Sequence, residues 1–300
     1  PEFVSDICSP NPLDILPHIS VLPAHPRYAK QENENCVSAK NGDQIQELKE
    51  LIGKLANAVS SESDEKRIVA DLIRPQDLVV LVVPIDSAAP KERLILPQQQ
   101  TIRDVLESGA ISVVTRETEL SQTLHSLAKK PALVITDSQA FKKVDQETPS
   151  DVPLTSFSIL FARYKGDLKE AVHGAAQLDK LKDGDTVLIS EGCTHHRQCG
   201  DIGTVKLPAW IRSYTKKKLN FVFTSGGEFP EDLSPYALVV HCGGCMLNER
   251  EMQYRLRHSA ERNVPMTNYG IAIAHMHGIL DRALAPFPDL HQAWSSTANG

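Results

Sequence analysis

Long apolar runs are missing from this chain. Nowhere in its 300 residues does a stretch approach the ~20 apolar residues that span a bilayer, and no secretory signal is visible, so no membrane partner is expected. An excess of positive charge is missing as well. Lys and Arg number 32 against 38 Asp and Glu, a net charge of −6 with the signs interleaved, which argues against a basic face for nucleic acid. No Gly-x-x-x-x-Gly-Lys-Ser/Thr run occurs, so no phosphate-cradling loop is encoded. The first residues, Pro1-Glu2-Phe3, lack an initiating Met, as expected of either a piece of a longer chain or a chain with added terminal residues. Without a secretion signal, the six cysteines fit a reducing compartment where thiols stay available for metal, and a cytoplasmic protein is expected.

A hydrophobic fraction of 41% and a charged fraction of 23% are ordinary for a soluble globular protein, and the length allows two or three domains. Residues 1–62 are polar and Pro-rich as far as Gly42. A helix is then expected from Asp43 to about Asn57, with Ile45, Leu48, Leu51, Ile52 and Leu55 on one stripe. Ser38-Ala39-Lys40, between a short strand and that helix, has the form of the base-reading loop near the end of a small GTPase domain. Residues 63–165 alternate expected strands (Leu78 to Ile85, Ile111 to Thr115, Ala132 to Thr136, Phe157 to Phe161) with expected helices (Gln98 to Ser108, Glu117 to Leu127, Ser138 to Val144). Residues 166–300 open with an expected helix from Asp167 to Lys182 and continue as strand–loop–helix units. The fold class predicted is α/β: two successive domains with mostly parallel sheets, preceded by the remnant of a P-loop GTPase domain.

Two groups of metal-ligand residues stand out. Cys193-Thr194-His195 follows the β-branched run Thr186 to Ser190, and His241-Cys242-Gly243-Gly244-Cys245 follows Ala237 to Val240. Each group therefore sits on a loop past the C-terminal end of a strand, where open α/β sheets place their sites. Thiolate and imidazole bind zinc, copper and iron–sulfur clusters. A structural zinc site would use Cys and His from both loops. An iron–sulfur cluster would take Cys193, Cys242 and Cys245 on three iron corners and a weaker ligand, His195 or His241, on the fourth. Chemistry alone leaves both readings open, with a thiol enzyme using Cys193 or Cys242 as a third.

Cys-x-His, a long spacer (His196 to Val240) and His-Cys-x-x-Cys together resemble the signature of the HydF family of [FeFe]-hydrogenase maturation factors. Val83-Pro84-Ile85-Asp86, Leu94 to Gln100, Pro208-Ala209-Trp210-Ile211 and Asn268-Tyr269-Gly270 resemble further stretches of the same family. The resemblance implies a GTPase remnant over residues 1–62, a dimerisation domain over 63–165 and an iron–sulfur domain over 166–300. It implies a scaffold that binds a [4Fe-4S] cluster through Cys193, Cys242 and Cys245, with His195 and His241 tuning or occupying the fourth position. It also implies a homodimer and a transient di-iron precursor received from HydE- and HydG-type radical-SAM maturases and passed to the apo-[FeFe]-hydrogenase. GTP and Mg would belong only to a full-length protein.

Other residues have plainer readings. His275-Met276-His277 lies in an expected helical run from Ile271 to Leu284, where i and i+2 side chains diverge, so packing is favoured over ligation. Lys216-Lys217-Lys218 reads as a solvated helix end, and Glu191 and Glu228 as neighbours of the site rather than ligands. Because phosphoryl transfer needs the phosphate loop and its Mg²⁺ ligands, these 300 residues alone are expected to release no phosphate from GTP above buffer background. A malachite-green assay on purified protein checks this, and protein-dependent release refutes it.

Overall fold

A computed structural model describes residues 45–51, 66–85, 94–192 and 201–298. Residues 45–51 form a helical segment, α1, as their apolar stripe predicts, within a unit (1–66) that separates from residues 67–300. The rest of the expected GTPase remnant, including Ser38-Ala39-Lys40, lies outside the described residues.

Residues 67–300 carry two four-stranded sheets, each parallel throughout. The first has the order β2-β1-β3-β4, from β1 (Leu78–Val82), β2 (Ile111–Thr115), β3 (Leu133–Thr136) and β4 (Leu154–Ser156). The second repeats that topology as β6-β5-β7-β8, from β5 (Thr186–Glu191), β6 (Asn220–Ser225), β7 (Leu238–His241) and β8 (Met266–Asn268). Parallel strands need crossovers, and helices supply them. The first sheet is crossed by α2 (Leu96–Glu107), α3 (Leu120–Ser126) and α4 (Phe141–Glu147), the second by α7 (Leu207–Thr215) and α8 (Glu249–Glu261). The α/β class with parallel sheets is therefore as expected from the alternation of runs.

The inner strands β5 and β7 of the second sheet are covered on both faces, which is why they read as continuous apolar runs. Val187, Ile189, Leu238 and Val240 pack with Leu207 and Ile211 on one side. Leu188 and Val239 pack with Val264, Met252 and Leu256 on the other. Several local signals act as anticipated: α2 is followed by Gly109 at φ 75°, and Asn248 accepts the Glu251 amide at 2.8 Å to start α8.

Three expectations change. Phe157 to Phe161 is not a strand but the start of α5 (Phe157–Lys165), because Ser156 caps it by accepting the Ile159 amide at 3.3 Å. An apolar run of that length fits a buried helix as well as a strand. The helix expected from Asp167 to Lys182 is α6 (Leu168–Ala176), tightening to a 3₁₀ turn over Gln177–Lys180. The run from Ile271 to Leu284 divides at Gly278, φ 70°, into α9 (Tyr269–Met276) and α10 (Leu280–Leu284), with α11 (Pro288–Ala298) beyond.

Helix α9 joins the two halves. It is buried all round: Ile271 and Ala274 face the core of the first sheet, while Tyr269, Ala272 and Ile273 face that of the second. A Cβ on Gly270 would sit 2.3 Å from Ser158 Cβ, so α9 needs glycine to approach α5. Arg282 of α10 completes the return, donating to Asp145 Oδ1 at 2.8 Å and to the Thr148 and Pro149 carbonyls at 3.0 and 2.6 Å.

Asp104 of α2 ties down the start of this unit. Its Oδ2 accepts the amides of Ile68, Val69 and Ala70 at 3.1, 2.7 and 2.9 Å, out of reach of most solvent. Asp104→Ala strands three amides and is expected to cost about 3 kcal/mol or more, with Asp104→Asn costing less. Urea unfolding measures both, and a loss under about 1 kcal/mol in the Ala variant refutes this account.

Candidate metal centre

Strands β5 and β7 pair directly, Ser190 opposite His241, while β6 lies outside β5 and β8 outside β7. The strand order therefore reverses between β5 and β7, and the crevice beyond their C-terminal ends is where open α/β sheets take ligands. Gly192 leaves β5 at this point and Cys242 leaves β7. The first sheet has the same reversal between β1 and β3 but offers no cysteine there.

Cys242 is held through each of its polar groups. Its amide donates to the Ser190 carbonyl at 2.8 Å. Its sulfur accepts the Gly192 amide at 3.0 Å and the Gly244 amide at 3.4 Å. Its carbonyl lies 2.7 Å from His241 Nδ1. Gly244 turns its amide back to the sulfur at φ 60°, a conformation glycine adopts without penalty, and a Cβ there would meet Met252 Sδ at 2.6 Å. Cys242 and Cys245 are both half-buried. A sulfur facing two amide donors suits a thiolate, whose charge those dipoles stabilise.

His241 is fully buried, and its two ring nitrogens are both engaged. Nε2 lies 3.0 Å from Arg255 Nη1 and Nδ1 faces the Cys242 carbonyl. Burial pushes the imidazole down to about 4, with the Cys242 hydrogen bond opposing and the Arg255 charge adding to the shift. Arg255 itself has 0% exposure. It donates to Glu251 Oε1 at 2.7 Å and the Gly226 carbonyl at 2.9 Å and lies over the Phe229 ring at 5.0 Å.

Lys165, in the last turn of α5, reaches the same turn from the other side. Its Nζ donates to the carbonyls of Cys245 and Leu247 at 3.2 and 3.1 Å. Burial lowers its pKa, against the influence of Cys245. A cleft between α5, α6 and the turn is lined by Lys165, Phe161, His241, Cys242, Met252 and Met266. Glu191 is buried at the end of β5 with Tyr269 Oη 3.4 Å away, and burial followed by the Glu191 charge raises the pKa of that phenol.

Of the expected ligands, the structure brings His241, Cys242 and Cys245 onto one turn and sets Cys242 against Gly192, the residue before Cys193. Cys193 and His195 lie outside the described residues, as do Cys8, Cys36 and Cys199. Among the described residues no three His, Cys, Asp or Glu side chains converge as a metal-holding group. His275 is engaged elsewhere, 2.9 Å from Asp179 and 3.4 Å from the Tyr214 hydroxyl, in keeping with packing rather than ligation. Arg255 and Lys165 are the residues sequence reasoning passed over. Glu251 and Arg255 are spaced i, i+4, the pattern of an ordinary surface pair.

The two sheets coincide with two family models. Residues 68–166 match the Hydrogen maturase F dimerization domain, and residues 169–286 match the Hydrogen maturase F tetramerization domain. The chain belongs to the hydrogen maturase F family. A role in hydrogenase maturation follows, and the dimerization domain supports a homodimer. No curated protein matches the chain. Among the described residues no helix is long and apolar enough to cross a membrane.

The buried imidazole makes stability depend on pH. His241 stays neutral in the folded chain down to about 4, whereas in the unfolded chain it takes a proton near 6.5. Below 6.5 the unfolded state thus binds more protons, so this contribution to stability is intact above pH 7 and falls as pH drops towards 4, by up to about 3 kcal/mol. Urea midpoints of iron-free protein at several pH values, compared with His241→Gln, measure it. Equal slopes in the two proteins would contradict the assignment.

Proposed function

We propose that the chain is a scaffold and carrier in [FeFe]-hydrogenase maturation: it binds a [4Fe-4S] cluster through Cys193, Cys242 and Cys245, accepts a di-iron precursor and delivers it to the apo-hydrogenase. The observation that carries the reading is the seat of Cys242, a sulfur facing two backbone amides at the reversal point of a parallel sheet, one of them from Gly192, the residue before Cys193 in sequence. Such a cluster supplies an iron whose fourth position is open to exchange, as a carrier requires and a permanent electron-transfer centre does not.

The chain's own groups divide the work. Gly192 and Gly244 amides stabilise thiolate charge on Cys242, and Gly244 turns the backbone so that Cys245 follows on the same loop. Lys165 braces the Cys245 and Leu247 carbonyls and puts a positive charge beside an anionic centre. Phe161, Met252 and Met266 line the adjoining cleft and limit water there. The fourth position takes a weaker ligand, for which His195 is one candidate, and His241 tunes the site. HydE- and HydG-type maturases as donors, the apo-hydrogenase as acceptor and a cytoplasmic setting belong to this reading, with GTP and Mg handled only by a longer chain that includes a GTPase domain.

Anaerobic reconstitution with iron and sulfide, followed by iron analysis and EPR of the reduced protein, tests the cluster. Cys193→Ala, Cys242→Ala and Cys245→Ala are each expected to lose most of the iron and its signal, while Cys36→Ala keeps both. Colourless protein that takes up zinc in preference to iron would instead identify a zinc-stabilised interaction module. Full iron retention in all three site variants would defeat the cluster assignment.

A further inference from the structure

The guanidinium of Arg255 is the one fully buried cation among the described residues, and its hydrogens point at the ends of three strands. Nη1 faces His241 Nε2 at 3.0 Å, with Ser190 Oγ at 3.5 Å; Nη2 donates to the carbonyl of Gly226, just past β6, at 2.9 Å. Nε is taken by Glu251 at 2.7 Å. A guanidinium has no acceptor and does not deprotonate. The nitrogen it faces must therefore be the lone-pair nitrogen of a neutral imidazole, which leaves the proton on Nδ1, aimed at the Cys242 carbonyl 2.7 Å away. Both nitrogens of His241 are committed in this network.

We infer that Arg255 and His241 form a fixed relay under the cysteine turn, in which His241 is a positioning residue and not an iron ligand. Ligation through Nε2 would break the contact with Arg255 and leave a donor of a buried cation unpaired, a change that costs several times an ordinary hydrogen bond. Ligation through Nδ1 would release the Cys242 carbonyl. Held as they are, the two residues set the peptide between Cys242 and Gly243, and with it the course of the turn whose Gly244 amide meets the Cys242 sulfur. The fourth iron corner is then left to a group other than His241. The inference about iron rests on the cluster reading above; the relay itself does not.

Two measurements test it separately. In iron-free protein labelled with ¹⁵N-histidine, long-range ¹H–¹⁵N correlation should show His241 at neutral pH as the Nδ1–H form, assigned by its loss in His241→Gln. Arg255→Met should move the Nε2 resonance downfield, towards the value of an imidazole nitrogen without a donor, and Arg255→Lys should move it less. An Nε2–H form, or a resonance indifferent to both substitutions, overturns the relay. If Arg255→Met does not fold, the wild-type tautomer and the lysine variant decide. In the reconstituted, reduced protein, the histidine nitrogen couplings seen by pulsed EPR should be the same in wild type and His241→Gln, whatever His195 contributes. Loss of a coupling in His241→Gln makes His241 a ligand and overturns the second half of the inference. Failure to take up any iron would count against the cluster reading alone, since the histidine spectrum of the iron-free protein stands by itself.

Discussion

Arg255 carries a full positive charge with no solvent contact, and the geometry around the cysteine turn follows from satisfying it. A buried guanidinium is tolerated only where acceptors surround it. Here they come from α8 through Glu251, from the end of β6 through Gly226 and from the end of β7 through His241, with the Phe229 ring stacked on its face. The strand ends that frame the cysteine turn are thus tied to one charge. His241 is in turn tied to the Cys242 carbonyl, so the constraint reaches the cysteine of the turn itself.

The halves that the two family models cover are not independent bodies. Helix α9 lends one side to each core, and α10 returns to the first half, where Arg282 holds the carbonyls between α4 and β4. Arg163 of α5 pairs with Asp71 at 2.6 Å and lies over Phe287 at 5.3 Å, adding a second tie to the C-terminal helices. Lys165, two residues on, braces the cysteine turn. Helix α5 of the dimerization domain thus touches the cysteine turn directly, with one hydrogen bond to the Cys245 carbonyl and one to that of Leu247.

Local signals were readable where one physical cause dominated. Apolar β-branched runs became β1, β3, β5 and β7, since strands covered on both faces must be apolar throughout. Gly109 ends α2 and Asn248 begins α8 for reasons confined to a few residues. Misreadings came where two local causes competed. Phe157 to Phe161 is apolar enough for either element, and the Ser156 cap tips it to helix. Gly278 splits a run whose hydropathy is continuous, because its positive φ redirects the chain between α9 and α10.

By itself the sequence determined the parallel α/β plan and which thiols and imidazoles follow two strand ends, because apolar runs and turn residues act at short range. The tertiary structure alone decided that β5 and β7 are neighbours, that Lys165 reaches the cysteine turn from the other half, and that Arg255, paired with Glu251, is buried rather than on the surface. It alone decided which nitrogen of His241 carries the proton. Such properties depend on which distant residues exclude water from a charge, and exclusion is a consequence of packing that residue spacing does not record.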